Sequence, residues 1–181
     1  MRAVFLDRDG VINKYPGHKK YVTRLEDFKL LPGAKEAVAK LSKKKWKIFI
    51  ASNQAGVGKG LYSQRTLDAI TTEMLKQIKK VGGNITQVYY CTHRKEENCS
   101  CRKPMPGMFH AARAKYKINL KASFFIGDTI RDVEAAQAAG CSSILVLSGK
   151  EKLSRRKSWK IMPDFVFKDL DQAAEFILNK E

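Results

Sequence analysis

The chain predicts an α/β fold, a three-layer Rossmann-like sandwich around a mainly parallel central sheet. Three observations carry this reading. Short, nearly unbroken apolar runs recur along the 181 residues, as expected of strands buried on both faces. Stretches of helical periodicity separate them. The residues able to do chemistry follow the runs, where an open parallel sheet places its ligands.

Taken in order, the first strand is "AVFL" over residues 3–6, which runs into "DRDG". A helix follows in "PGAKEAVAKLSKK" from Pro32, with Ala34, Ala37, Val38 and Leu41 at helical spacing. The second strand, "KIFIA" over 47–51, leads into "SNQAGVGKG". The next helix has Ser63 as its N-cap, a buried stripe of Leu67, Ile70, Met74, Ile78 and Val81, and Gly82 and Gly83 as its stop. The third strand, 87–91, delivers "CTHRKEENCSCRKP", and a helix is expected over 106–116. The fourth strand, 123–127, ends in "GDTIRD" and feeds a helix over 130–139. Strands over 143–147 and 164–167 and a helix over 170–178 complete the pattern. No repeat, low-complexity linker or large insertion interrupts it, so a single domain over residues 1–181 without a separate cap domain is expected.

Lys+Arg 35 against Asp+Glu 18 gives a formal charge of +17, which favours anionic partners without choosing among them. The densest basic runs, residues 43–47 and 149–160, read as solvated surface rather than as a nucleic-acid groove. No secretory leader and no apolar run long enough for a membrane span is read, so a soluble, cytoplasmic protein with no membrane partner is expected. Cys141 reads as a small buried apolar residue.

Four strand ends converge. Asp7 and Asp9 leave the first, Ser52 and Asn53 the second, the Cys/His loop with Lys103 the third, and Asp128 and Asp132 the fourth. This combination points to phosphate, because a carboxylate approaching a phosphate dianion is repelled unless a divalent cation and fixed positives cover the oxygens. Asp7 and Asp128 can give hard oxygen ligands to Mg²⁺, while Ser52, Asn53 and Lys103 can hold non-bridging oxygens. Of Asp7 and Asp9, one can attack phosphorus and the other can protonate the leaving oxygen and then activate water. Cys91, His93, Cys99 and Cys101 offer three thiolates and an imidazole, a closed tetrahedral shell for structural Zn²⁺. Such a site carries about −1 in net charge and is a poor Lewis acid. Its place just before Arg102 and Lys103 suits a cross-link that aims both cations.

"FLDRDGVIN", "SNQAGVGKG", "CRKPMPGMF" and "IGDTIRDVEAAQAAG" stand where the four motifs of haloacid dehalogenase-like phosphohydrolases stand, and the resemblance spans most of the chain. Within that superfamily the pattern is most similar to the D-glycero-D-manno-heptose 1,7-bisphosphate 7-phosphatases, with histidinol-phosphate phosphatases as relatives sharing the zinc loop. The resemblance implies Asp7 as nucleophile and Asp9 as general acid/base. It implies Mg²⁺ at Asp7, the Asp9 main-chain carbonyl and Asp128, with Ser52 and Lys103 stabilising the phosphoryl group. Asn53, Gln54 and Arg102 are then expected to contact a small phosphorylated sugar, and a monomer is expected. Two positions depart from the family's usual residues. Ser52 stands for Thr, and Thr129 for a basic residue, leaving the metal's surroundings less positive. The segment 14–20 is slightly long and is expected to carry substrate contacts, with His18 an exposed loop residue, while the Cys/His loop is the expected wall of the open site.

Two other readings share these residues. Histidinol-phosphate phosphatase would be separated by a substrate panel. A zinc-stabilised basic module without catalysis would release no phosphate, and the complete Asp7, Asp9, Lys103 and Asp128 set argues against it. A nucleic-acid 3′-phosphatase would suit the charge, but the chain has no P-loop and nucleic acid is not the expected partner.

Overall fold

The computed structural model describes residues 1–18 and 20–180; Lys19, within the segment expected to carry substrate contacts, and Glu181 lie outside the described residues. Strands and helices alternate as β1 (Ala3–Leu6), α1 (Ala34–Lys43), β2 (Lys47–Asn53), α2 (Gln64–Lys80) and β3 (Gln87–Cys91). They continue as α3 (Gly107–Tyr116), β4 (Phe124–Gly127), α4 (Ile130–Ala139), β5 (Ser142–Val146), β6 (Phe165–Phe167) and α5 (Leu170–Asn179). The strands form one sheet in the order β3-β2-β1-β4-β5-β6, and each neighbouring pair is parallel. The winding reverses between β1 and β4, so the crevice that ligands favour opens where Asp7 and Asp128 leave the sheet.

Side-chain alternation divides β1 to β4 between two cores. Val4, Leu6, Ile48, Ile50 and Ile126 face α1, α2 and α5, whereas Ala3, Phe5, Phe49 and Phe125 face α3 and α4. Both faces are therefore apolar, which is why the strands read as continuous apolar runs. On the second face Phe5 stacks on Phe49 at 5.1 Å, and Phe109 bridges Phe5 at 4.9 Å and Phe125 at 5.0 Å, giving a rigid aromatic floor.

Helix boundaries follow local chemistry. Ser63 caps α2 by accepting from Thr66 N, Thr129 caps α4, and Asp169 caps α5. Val81, expected in the buried stripe, is instead 36% exposed. The helix stops at Lys80, and Gly82, at φ +83°, turns the chain away before Val81 can reach the sheet. β2 runs two residues past the expected end, because Ser52 and Asn53 pair in register with Tyr90 and Cys91. Both side chains thus stand on strand rather than on loop backbone. Among the described residues no helix is long and apolar enough to cross a membrane.

The bland readings of the basic runs fit the geometry. Trp46 and Trp159 are buried, at 6% and 7% exposure, so neither supplies an exposed stacking platform beside its lysines. Cys141 lies in the apolar core, where burial pushes its thiol up to about 12.

Candidate active site

Asp7 emerges from β1 almost wholly buried, its Oδ1 accepting from Arg8 N at 2.7 Å. Its Oδ2 lies 2.9 Å from Lys103 Nζ, which also meets Asp132 Oδ1 at 2.7 Å. Carboxylate oxygens of Asp7, Asp128 and Asp132 all lie within 4.8 Å of one another, and all three residues are buried. Three carboxylates against one ammonium leave a buried excess of two negative charges, which a divalent cation would neutralise. The electrostatics agree. Burial, opposed by Lys103 and reinforced by Asp132, raises Asp7 to about 6, and burial together with Asp132 and Asp7 pushes Asp128 well above the usual carboxylate range. Burial alone would discharge Lys103, but Asp132 and Asp7 outweigh it and raise the ammonium instead.

The chain is shaped around Asp128. Its Oδ2 accepts from Lys150 N at 2.8 Å, and its carbonyl accepts from Glu151 N at 3.1 Å. A methyl at Gly10 or Gly149 would run into its carboxylate, so both positions exclude a side chain. Asp132, which sequence reasoning placed at this strand end without a role, is fixed by a capping box. Its Oδ2 accepts from Thr129 N at 3.0 Å and Thr129 Oγ1 at 2.6 Å, leaving Oδ1 for Lys103. The signal for it was the Thr-x-x-Asp spacing.

Asp9 does not join the carboxylate cluster through its side chain. Its oxygens accept from Arg8 Nε and Nη2, from Asn13 Nδ2 at 2.9 Å, and from Gln54 Nε2 at 2.9 Å. Gln54 also donates to Ser52 Oγ at 3.2 Å, while its Oε1 accepts from Arg8 and from Tyr62. With no exposure and every amide position engaged, Gln54 does not reach a ligand as expected. It holds Asp9 and Ser52. Arg8, fully buried beneath the site, was not identified from sequence, where it is one cation between two acids.

The third strand end supplies the remaining parts. Asn53 exchanges two 3.0 Å bonds with the Lys103 main chain, Nδ2 donating to the carbonyl and Oδ1 accepting from the amide. Asn53 thus anchors the backbone that carries Lys103. Arg102 donates to His93 O at 3.2 Å. Gln54 N donates to Cys91 O and Gly58 N to Thr92 O, which ties the β2 loop to the start of the Cys/His loop.

Cys91, His93, Cys99 and Cys101 bring one ligand atom each within 4.8 Å. Cys91 Sγ lies 3.5 Å from Cys99 Sγ, Cys101 Sγ 3.4 Å from Cys99 Sγ, and Cys101 Sγ 3.3 Å from His93 Nδ1. These separations exceed a disulfide bond of about 2.05 Å. They lie at or a few tenths of an ångström under the edges, about 3.5–3.8 Å, of a tetrahedron with metal–sulfur bonds near 2.3 Å. The donors fit a metal ion.

A cavity of about 360 Å³ opens beside Lys103, with Lys95, Arg102 and Arg131 in its wall. A second, of about 350 Å³, lies among Lys14, Tyr15, Lys20 and Lys29, and His18, which is exposed as expected, does not line it. A larger one, about 590 Å³ between α1 and the end of α2, gathers no site residue.

Comparison with known proteins places this geometry. Residues 100–173 match the family described as HAD-hyrolase-like. The chain is 37% identical to D-glycero-beta-D-manno-heptose-1,7-bisphosphate 7-phosphatase of Pseudomonas putida, over 98% of this chain and 100% of that one. It is 34% identical to the corresponding alpha-heptose enzyme of Campylobacter jejuni, covering 99% and 98%. Among solved structures, D,D-heptose 1,7-bisphosphate phosphatase from B. bronchiseptica, complexed with magnesium and phosphate, superposes with a TM-score of 0.92 at 33% identity, covering all of both chains.

Proposed function

The chain belongs to the haloacid dehalogenase-like phosphatases, in the family of D-glycero-D-manno-heptose-1,7-bisphosphate 7-phosphatases, and on that premise we propose that it removes the 7-phosphate of this sugar bisphosphate through an aspartyl-phosphate on Asp7. The observation that carries the reading is the buried Asp7–Lys103–Asp132 ion triad beside Asp128, a charge arrangement suited to phosphoryl transfer.

Asp7, Asp128 and the main-chain carbonyl of Asp9 would hold Mg²⁺, which, when bound, screens the carboxylate from the phosphate it approaches and orients that phosphate. A carboxylate oxygen of Asp7 forms a bond to phosphorus as the bond to the sugar oxygen breaks, and Asp9 gives that oxygen its proton. Asp9 then takes a proton from water as the water oxygen bonds to phosphorus and the Asp7–phosphorus bond breaks, restoring both carboxyls. Lys103 and Ser52 steady the transferring group. Arg102, with Lys95 and Arg131 across the 360 Å³ cavity, suits the second phosphate of the substrate.

Zn²⁺ at Cys91, His93, Cys99 and Cys101 has a structural part. It pins the segment that presents Arg102 and Lys103 and walls the site, and a reducing cytoplasm preserves its thiolates. We take the enzyme to act there as a monomeric single domain, supplying ADP- or GDP-heptose precursors of lipopolysaccharide and other surface polysaccharides. A kinetic panel with Mg²⁺ tests the substrate: α- and β-heptose 1,7-bisphosphate, fructose 1,6-bisphosphate and histidinol phosphate. One heptose anomer should exceed the other two substrates in kcat/KM by at least about 10²-fold. A preference for histidinol phosphate would overturn the assignment.

A further inference from the structure

We propose that Arg8 and Gln54 are positioning residues that clamp Asp9 for both proton transfers, with Gln54 coupling Asp9 to Ser52 beside the phosphoryl group. The inference rests on the phosphatase reading above. Arg8 is the largest fully buried side chain of the molecule. Burying a guanidinium costs several kcal/mol unless it is paired, and an apolar side chain would fill the same space at less cost. Its ion pair is with Asp9: Nε and Nη2 lie 3.2 and 3.0 Å from Asp9 Oδ1, and Nη2 lies 3.1 Å from Oδ2.

Gln54 closes the clamp from β2. Its Oε1 faces two donors, Arg8 Nη2 at 3.1 Å and Tyr62 Oη at 2.6 Å, so its amide nitrogen must face the acceptors. That nitrogen bridges Asp9 Oδ2 at 2.9 Å and Ser52 Oγ at 3.2 Å. The residue that moves protons and the hydroxyl that steadies phosphorus are thereby set by one amide. Such supporting shells commonly contribute 10–100-fold to activity, because an ångström of misplacement is enough to uncouple a proton transfer.

The test separates positioning from mere stability by leaving group. An alkyl phosphate needs its departing oxygen protonated, whereas the nitrophenolate of p-nitrophenyl phosphate leaves without a proton. In rapid-mixing experiments with Mg²⁺, Gln54→Leu should slow the first turnover of an alkyl phosphomonoester by roughly 10–100-fold. On p-nitrophenyl phosphate the first turnover should slow much less, by only the share that Ser52 positioning carries, and release about one nitrophenolate per site. Later turnovers should then slow by the full factor, since water activation still needs Asp9. Equal slowing of the first turnover on both esters, or no change on either, would overturn the clamp. Should Gln54→Leu fail to fold, Tyr62→Phe, which removes one donor to Gln54, should show the same split at a few-fold, and its absence would be equally decisive. Wild-type protein that releases no phosphate would instead overturn the phosphatase reading, and the clamp with it.

Discussion

Asp7 shows how one side chain can carry opposed demands. The proposed chemistry needs it ionised, yet burial raises it from its ordinary 3.8 to about 6. In the metal-free protein the folded state therefore favours the acid form. The stability this lends is complete below about pH 4 and is lost as pH rises through about 6, up to roughly 3 kcal/mol. Asp7→Asn should remove that loss, so chelator-treated variant should unfold at higher temperature than chelator-treated wild type at pH 7.5, with the difference vanishing near pH 4. Its turnover should fall by at least about 10³-fold. Gly149 makes a second residue-scale prediction. Because a methyl there would strike the Asp128 carboxylate, Gly149→Ala should raise the Mg²⁺ concentration for half-maximal activity about tenfold or more, by titration against phosphate release.

At the scale of elements, each strand end contributes one part, and one helix cap fixes the part at β4. Thr129 opens α4 and at the same time orients Asp132 toward Lys103. Thr129→Val should cost about 1 kcal/mol in denaturant midpoint, as cap losses do, and also lower kcat. Ser63→Ala should cost a similar amount at α2 but leave kcat unchanged, since the Ser63 hydroxyl is exposed and bonds only to Thr66 in the first turn of α2. The Cys/His loop follows the same logic. Removing the Zn²⁺ proposed there, or Cys99→Ser, should lower the thermal midpoint and weaken inhibition by inorganic phosphate, because Arg102 and Lys103 follow directly from the segment that the metal would cross-link.

Much of this was legible in the sequence because parallel strands announce themselves twice, as apolar runs and through the polar residues at their ends. β1, β3 and α4 occupy the expected residues, and Asp7, Asp128 and Lys103 meet as expected. What escaped was whatever depends on direction rather than position. Arg8 lies between two acids in sequence, and nothing in its neighbours says that it turns inward under Asp9. Gln54 and Asn53 read as ligand contacts, but their amides are engaged by Asp9, Ser52 and the Lys103 backbone. Val81 followed the helical period but fell one residue beyond the helix.

On the scale of the whole molecule, two apolar cores clamp the sheet so that β1, β2, β3 and β4 present their ends together, and chemistry gathered from residues 7 to 132 becomes one site. The net charge of +17 suits an enzyme whose substrate carries two phosphates, since a positive field speeds anionic encounter. kcat/KM should accordingly fall with added salt more than kcat does. The most direct measurement is phosphorus NMR of D-glycero-D-manno-heptose 1,7-bisphosphate, in both anomers, incubated with Mg²⁺ and either wild-type protein or Asp7→Asn. Wild type should release one inorganic phosphate per sugar while the 1-phosphate signal persists, and Asp7→Asn should leave both signals intact. Loss of the 1-phosphate instead, or release by Asp7→Asn at the wild-type rate, would contradict the role assigned to Asp7 and the reaction built upon it.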